Sequence, residues 1–152
     1  MTEKRLYSRW TPEDVEYSSC EETFSELIIY TSKNSSEVTE MLGMSPSSAQ
    51  DKGDRIQTSR GVDRFAKETY WALSSEGMIL SKDLRHHLNW LLKSIYSKRY
   101  QLLEIQNFSD VKMAVNCKWW SRGSGGPTIW PEQMKVLSEM NLELTFDIYF
   151  QY

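Results

Sequence analysis

Leu142-Glu143-Leu144-Thr145-Phe146-Asp147-Ile148-Tyr149-Phe150 (LELTFDIYF) is the run on which the fold turns. Leu142, Leu144, Phe146, Ile148 and Phe150 fall on one side of an extended chain; Glu143, Thr145, Asp147, Tyr149 and Gln151 fall on the other. Side chains along a strand point to alternate faces, so one face of this strand belongs on a core and the other on solvent or a groove. A sheet with one such open face needs helices on one side only.

Working back from this strand, Pro131 opens a short helix, a position proline favours. Met134, Leu137 and Val136 face inward, and Asn141 closes it. Before it stands Trp119-Trp120-Ser121-Arg122-Gly123-Ser124-Gly125-Gly126-Pro127-Thr128-Ile129-Trp130-Pro131, a sharp loop in which three glycines precede a proline. A strand leads into it from Val111, with Val111, Met113, Val115 and Cys117 on one face. The longest helix spans about 82–106, capped by Ser81, with Leu84, Leu88, Leu91, Leu92, Ile95, Leu102 and Leu103 mostly on one stripe. Residues 68–74 read as a strand and residues 44–67 as a long polar loop with a short strand near Ile56. Asn34-Ser35-Ser36 offers caps for a helix that carries Val38, Met41 and Leu42 and stops at Gly43. Phe24 to Thr31 is a strand whose centre reads as buried on both faces. The order is β-α-β-α-β-α-β, which makes an α+β fold of two layers. Its sheet is mainly antiparallel, of about four or five strands, with helices on one face. The whole chain, 1–152, is one domain, with 1–22 an N-terminal extension and 23–152 the core.

The chain has 152 residues, 39% hydrophobic and 26% charged, enough for a core in water. No apolar run is long enough to span a bilayer and MTEKRLYSRW lacks a signal peptide's apolar centre, so a cytoplasmic protein without membrane contact is expected. A net charge of −3 argues against general nucleic-acid binding. Two cysteines and two histidines make neither a disulfide framework nor a metal site, and no cofactor is expected. The acidic excess gathers at Glu13, Asp14, Glu16, Glu21, Glu22 and Glu26, either a solvated surface or a docking face for a basic partner.

Several stretches resemble one family. They are Met41-Leu42-Gly43, Lys52-Gly53-Asp54, Trp71-x-Leu73-Ser74-Ser75 and His87-Leu88-x-Trp90-Leu91-Leu92. The specific ones are Trp119-Trp120-Ser121-Arg122-Gly123 with Gly125-Gly126-Pro127, and the Phe146-Asp147-Ile148-Tyr149 strand. Together they are similar to bacterial domain-of-unknown-function family 4279, small α+β proteins, over about residues 24–151. Trp130 departs from the capping Ser or Asp common before the third helix of such proteins. The family has no agreed activity. By type and size, its members are similar to immunity proteins, which neutralise a toxin made by the same bacterium.

No catalytic constellation survives the spacing test. Cys117 with His86 or His87 is the one Cys/His option in the middle of the chain, and His87 sits on the apolar side of its helix as a core histidine does. Glu143 and Asp147, four apart on one strand face, stand about 13 Å apart, too far for a carboxylate pair. Asp147 is expected to bond a loop amide or to pair with Arg122 or Lys118. Two binding surfaces remain. One is for a partner protein: Glu13, Asp14, Glu16, Glu21 and Glu22, with Trp10, Tyr17, Trp130 and Tyr152 as aromatic anchors. The other is a small-anion site at the Trp119–Pro127 loop: Asn116, Trp120, Arg122, Gly125, Gly126 and Asp147. The expectation is therefore a non-enzymatic immunity protein. It binds a cognate toxin domain, a basic nuclease of the contact-dependent inhibition type being one candidate. An anionic-ligand sensor is the alternative.

Overall fold

The computed structural model describes residues 9–61 and 63–150. Gln151, Tyr152 and residues 1–8 of the expected extension lie outside them. The elements are β1 (Cys20–Thr31), α1 (Ser35–Leu42), β2 (Ser48–Gln50), β3 (Arg55–Gln57), β4 (Asp63–Phe65) and β5 (Thr69–Ser74). They continue with α2 (Leu84–Tyr96), α3 (Arg99–Ile105), β6 (Lys112–Ser121), α4 (Pro131–Glu139) and β7 (Glu143–Phe150). A five-stranded sheet runs β2-β5-β1-β6-β7, and β3 and β4 form a separate two-stranded ribbon. The β2-β5, β5-β1 and β1-β6 pairs are antiparallel. The β6-β7 pair is parallel, because α4 carries the chain back between them.

Helices cover one face of the sheet. Leu27 and Ile29 of β1, Trp71 of β5, and Val115, Cys117 and Trp119 of β6 turn to that side, where they meet Leu84, Leu88, Leu91 and Ile95 of α2. Each such side chain contributes about 1.5–3 kcal/mol by leaving water. The two-layer expectation stands. Gly43 closes α1 at φ 66°, and Asn141 takes φ 52° in the turn into β7.

Several expectations are corrected. The 82–106 helix is two, α2 and α3. No side chain between Ile95 and Leu102 is fully buried, so the apolar stripe is interrupted, and α3 turns to pack on α1. The cap of α2 is Asp83, not Ser81: its carboxylate accepts from the Arg85 N–H, while the Ser81 hydroxyl accepts from the Asp83 N–H. The 44–67 stretch holds three short strands rather than one. Met134 is exposed, and Gln133 is buried instead, donating to the Arg85 carbonyl and to Asn89 Oδ1. The centre of β1 is fully buried on the helix side alone; Ile28 is half-buried and Tyr30 exposed. At the edge of the sheet, Leu142 is buried but Phe146, Ile148 and Phe150 are exposed, since α4 covers only the start of β7.

Residues 9–19 form no helix or strand, and they are not loose. Arg85 and Asp83, both without solvent exposure, hold them down. The Arg85 guanidinium donates to both Asp83 oxygens and to the carbonyls of Thr11 and Pro12, and the Asp14 N–H donates to Asp83 Oδ2 at 3.0 Å. Burial pushes the Asp83 carboxyl up, yet the hydrogen bonds from Arg85 and Asp14 outweigh it and hold the group below the usual carboxylate range.

Candidate functional site

Among the described residues, the other face of the sheet carries no helix. Register fixes its layout as rows across the strands. The first row is Glu22, Trp120 and Tyr149; the second is Phe24, Lys118 and Asp147. Ser74, Glu26, Asn116 and Thr145 make the third. The fourth is Ser48, Ala72, Ile28, Ala114 and Glu143, and the fifth is Gln50, Tyr70, Tyr30 and Lys112.

Aromatic rings bound this face at both ends. Trp120 stacks on Tyr149 with centroids 4.8 Å apart, and Phe24 lies 5.7 Å from Trp120. Tyr30 and Tyr70 pair at 5.4 Å. Between them lies a polar band with a hollow of about 390 Å³, lined among others by Glu26, Asn116, Lys118, Thr145 and Asp147. The hollow exists because Ala114 is short where its neighbours Lys112 and Asn116 are long.

Two groups in this band are costly to keep. Glu26 is only 7% exposed. Its one basic partner within 4 Å among the described residues is the Lys118 ammonium, at 3.9 Å, beyond hydrogen-bonding range. Burial pushes its carboxyl above the usual range. Asn116 is 9% exposed; its Nδ2 donates to Thr145 Oγ1 at 2.8 Å, and its Oδ1 has no partner.

The sequence-derived ligand site divides in two. Asn116, Trp120 and Asp147 share the open face, with Asp147 in register with Lys118. Arg122, Gly125 and Gly126 lie in the loop beyond β6, and the N-terminal segment occupies that loop. Arg122 pairs with Glu21 at 2.5 Å, the Arg122 N–H donates to the Ser19 carbonyl, and the Tyr17 hydroxyl donates to the Gly126 carbonyl. Gly125 has φ 122°, and a Cβ there would stand 2.8 Å from the Ser19 side chain. The loop is shaped by what packs on it.

The sequence-derived partner surface also divides. Glu13 and Glu16 are exposed but face His86 at 3.3 Å and Lys82 at 3.5 Å. Asp14 accepts from the Glu16 N–H, and Glu22 is exposed at the edge of the open face. Tyr17 is half-buried, its ring edge-on to Trp119. Trp10 is 98% exposed, while Trp130 is half-buried with the Arg85 guanidinium 5.0 Å from its ring centroid. The acidic cluster thus finds much of its basic counterpart within the same chain.

The remaining histidine and cysteine groups are buried. His87 Nε2 donates to the Ser81 carbonyl, so Nδ1 accepts from the Ser75 hydroxyl at 2.8 Å. Both residues are buried, and burial lowers the His87 pKa. Cys117 is buried and its thiol is pushed up to about 12 by burial. A second dent of about 700 Å³, at the start of β7, is lined by Gln106, Val111, Met134, Leu137, Asn141 and Leu144 among others, and the Gln106 amide is already paired with Met140 and Asn141. Among the described residues no helix is long and apolar enough to cross a membrane.

Sequence reading missed Phe24, Tyr30, Tyr70, Ala114 and Tyr149 as members of one surface. The signal was present in Phe24-Ser25-Glu26-Leu27-Ile28-Ile29-Tyr30, whose second face carries Phe24, Glu26, Ile28 and Tyr30. Adjacent isoleucines masked the alternation.

The fold and this surface define a two-layer α+β domain with one sheet face left open. The family described as Domain of unknown function (DUF4279) matches residues 21–151, and the chain belongs to it. No curated protein and no solved structure matches the chain.

Proposed function

We propose that this protein is a non-enzymatic binding domain of the immunity type. It acts in the bacterial cytoplasm, where the open sheet face engages a cognate toxin domain and blocks it, a nuclease being one candidate. The observation that supports this is the face itself: aromatic clusters at both ends of a polar band, broad and shallow, on a rigid sheet. Interfaces draw much of their energy from a few aromatic and arginine anchors that become fully desolvated. β7 is the edge strand beside this face and offers it Thr145, Asp147 and Tyr149; Phe146, Ile148 and Phe150 point to the opposite side.

The acidic N-terminal segment takes a smaller part in this reading, since Glu13, Glu16 and Glu21 already face His86, Lys82 and Arg122. The anion-sensor alternative is weakened by the same pairing: an anion at the glycine loop has to displace Glu21 from Arg122. The test is co-expression with the C-terminal fragment of the large protein encoded next to this one. Growth rescue with a co-purifying complex is expected. A harmless neighbour, or no complex, refutes the reading. An anionic metabolite that raises Tm, with the rise lost in Arg122→Ala, would favour the sensor.

A further inference from the structure

The open face has the wrong chemistry for an anion and the right chemistry for a cation. Its hollow is bordered by three carboxylates, Glu26, Glu143 and Asp147, against two ammonium groups, Lys112 and Lys118. Lys112 is drawn toward Glu68, 3.7 Å away, on the far side of the fifth row. Lys118 reaches Glu26 only at 3.9 Å. Among the described residues no hydrogen bond reaches the Glu26 carboxylate, and Asn116 Oδ1 is an unpaired acceptor on a side chain 91% buried. Buried acceptors left without donors are costly, and their cost is relieved by a ligand that brings donors.

We propose that the hollow over Ala114 receives an arginine side chain of the partner protein, its guanidinium donating to Glu26 and Asn116 Oδ1. This rests on the protein-binding reading above and names what the partner presents. A guanidinium is planar and offers five donors in a fixed fork, so it satisfies a carboxylate and a neighbouring amide oxygen together. Tyr30 and Tyr70 supply ring surface against which its stem and plane pack. Lysine, with a compact and strongly hydrated head, gains less from that wall.

The full chain, labelled for NMR, is titrated with N-acetylarginine amide, and with N-acetylglutamate amide as control. Saturable shifts at the Asn116 side-chain amide and the Ala114 methyl are expected with the arginine probe, with Kd on the order of 1 mM for so small a ligand. Glu26→Gln, which keeps the shape, and Ala114→Leu, which fills the hollow without changing charge, each weaken this by about tenfold or more. Non-saturating shifts, equal binding of the glutamate probe, or full binding by both variants overturns the inference. The two readings separate in the toxin experiment. A complex as tight with Glu26→Gln as with wild type removes the arginine and keeps the protein partner. Probe binding by a protein with no toxin partner does the reverse.

Discussion

Glu26 shows a residue kept against its own stability. Burial raises its pKa; Lys118 pulls it down, and Glu76 and Asp147 push it up. Because the folded pKa lies above the unfolded one, the native state binds more protons than the unfolded chain over that interval, and stability falls as pH rises through it. Glu26→Gln is therefore expected to raise the urea midpoint at neutral pH with an unchanged slope, while weakening partner binding. A lowered midpoint would mean that the Lys118 pair outweighs the burial. His87 works in the opposite direction. Its pKa is depressed, so stability declines as pH drops below about 6.5, the ordinary histidine value, and His87→Gln should flatten that decline in a pH series of thermal melts. Of the residues that matter, the sequence showed His87 as a core histidine, because Leu84 and Leu91 lie one turn to either side of it. It did not show Glu26 as a site residue, because a charge in an acidic stretch looks solvated until the strand register places it beside Asn116.

At the scale of elements, the N-terminal segment and the glycine loop hold each other in place. Gly125→Ala meets both an unfavourable φ of 122° and the Ser19 side chain, and should cost about 1–3 kcal/mol. Gly123→Ala, at φ 117° with open space around it, should cost less, and denaturant melts of the pair measure the difference. The buried Arg85-Asp83 pair is the other tie. Removing one partner strands a charge, so Asp83→Ala should lose about 3–5 kcal/mol and speed hydrogen exchange of the Asp14 amide. The strands and helices with strong period were legible: α1, β5, β6, α4 and β7 fall within a residue or two of expectation. The break between α2 and α3 was not, since Ser97 and Lys98 carry no helix-stopping chemistry and only the α1 surface explains the turn. Exposure of β7's apolar side was not legible either. Period tells which residues share a face, and the length of α4 decides how much of that face is covered.

For the whole molecule, the fold divides its work between two faces. Helices and the N-terminal segment cover one except along β7, and the other is left with rings, unpaired acceptors and a hollow. The sequence conveyed the open-faced architecture through one alternating strand, but attached function to the acidic segment and the loop, where charges and glycines are conspicuous. Within the chain Glu16 already faces Lys82 and Glu21 already pairs with Arg122. The measurement that tests the central claim most directly is the affinity of Trp120→Ala, checked for native circular dichroism, for the co-expressed toxin domain by calorimetry. If the open face binds the partner, loss of the ring stacked on Tyr149 weakens the complex by about thirtyfold or more, as for an aromatic anchor. Binding equal to wild type, alongside a loss on changing Glu13, Asp14 and Glu16 to lysine, would contradict it and return the interface to the acidic segment.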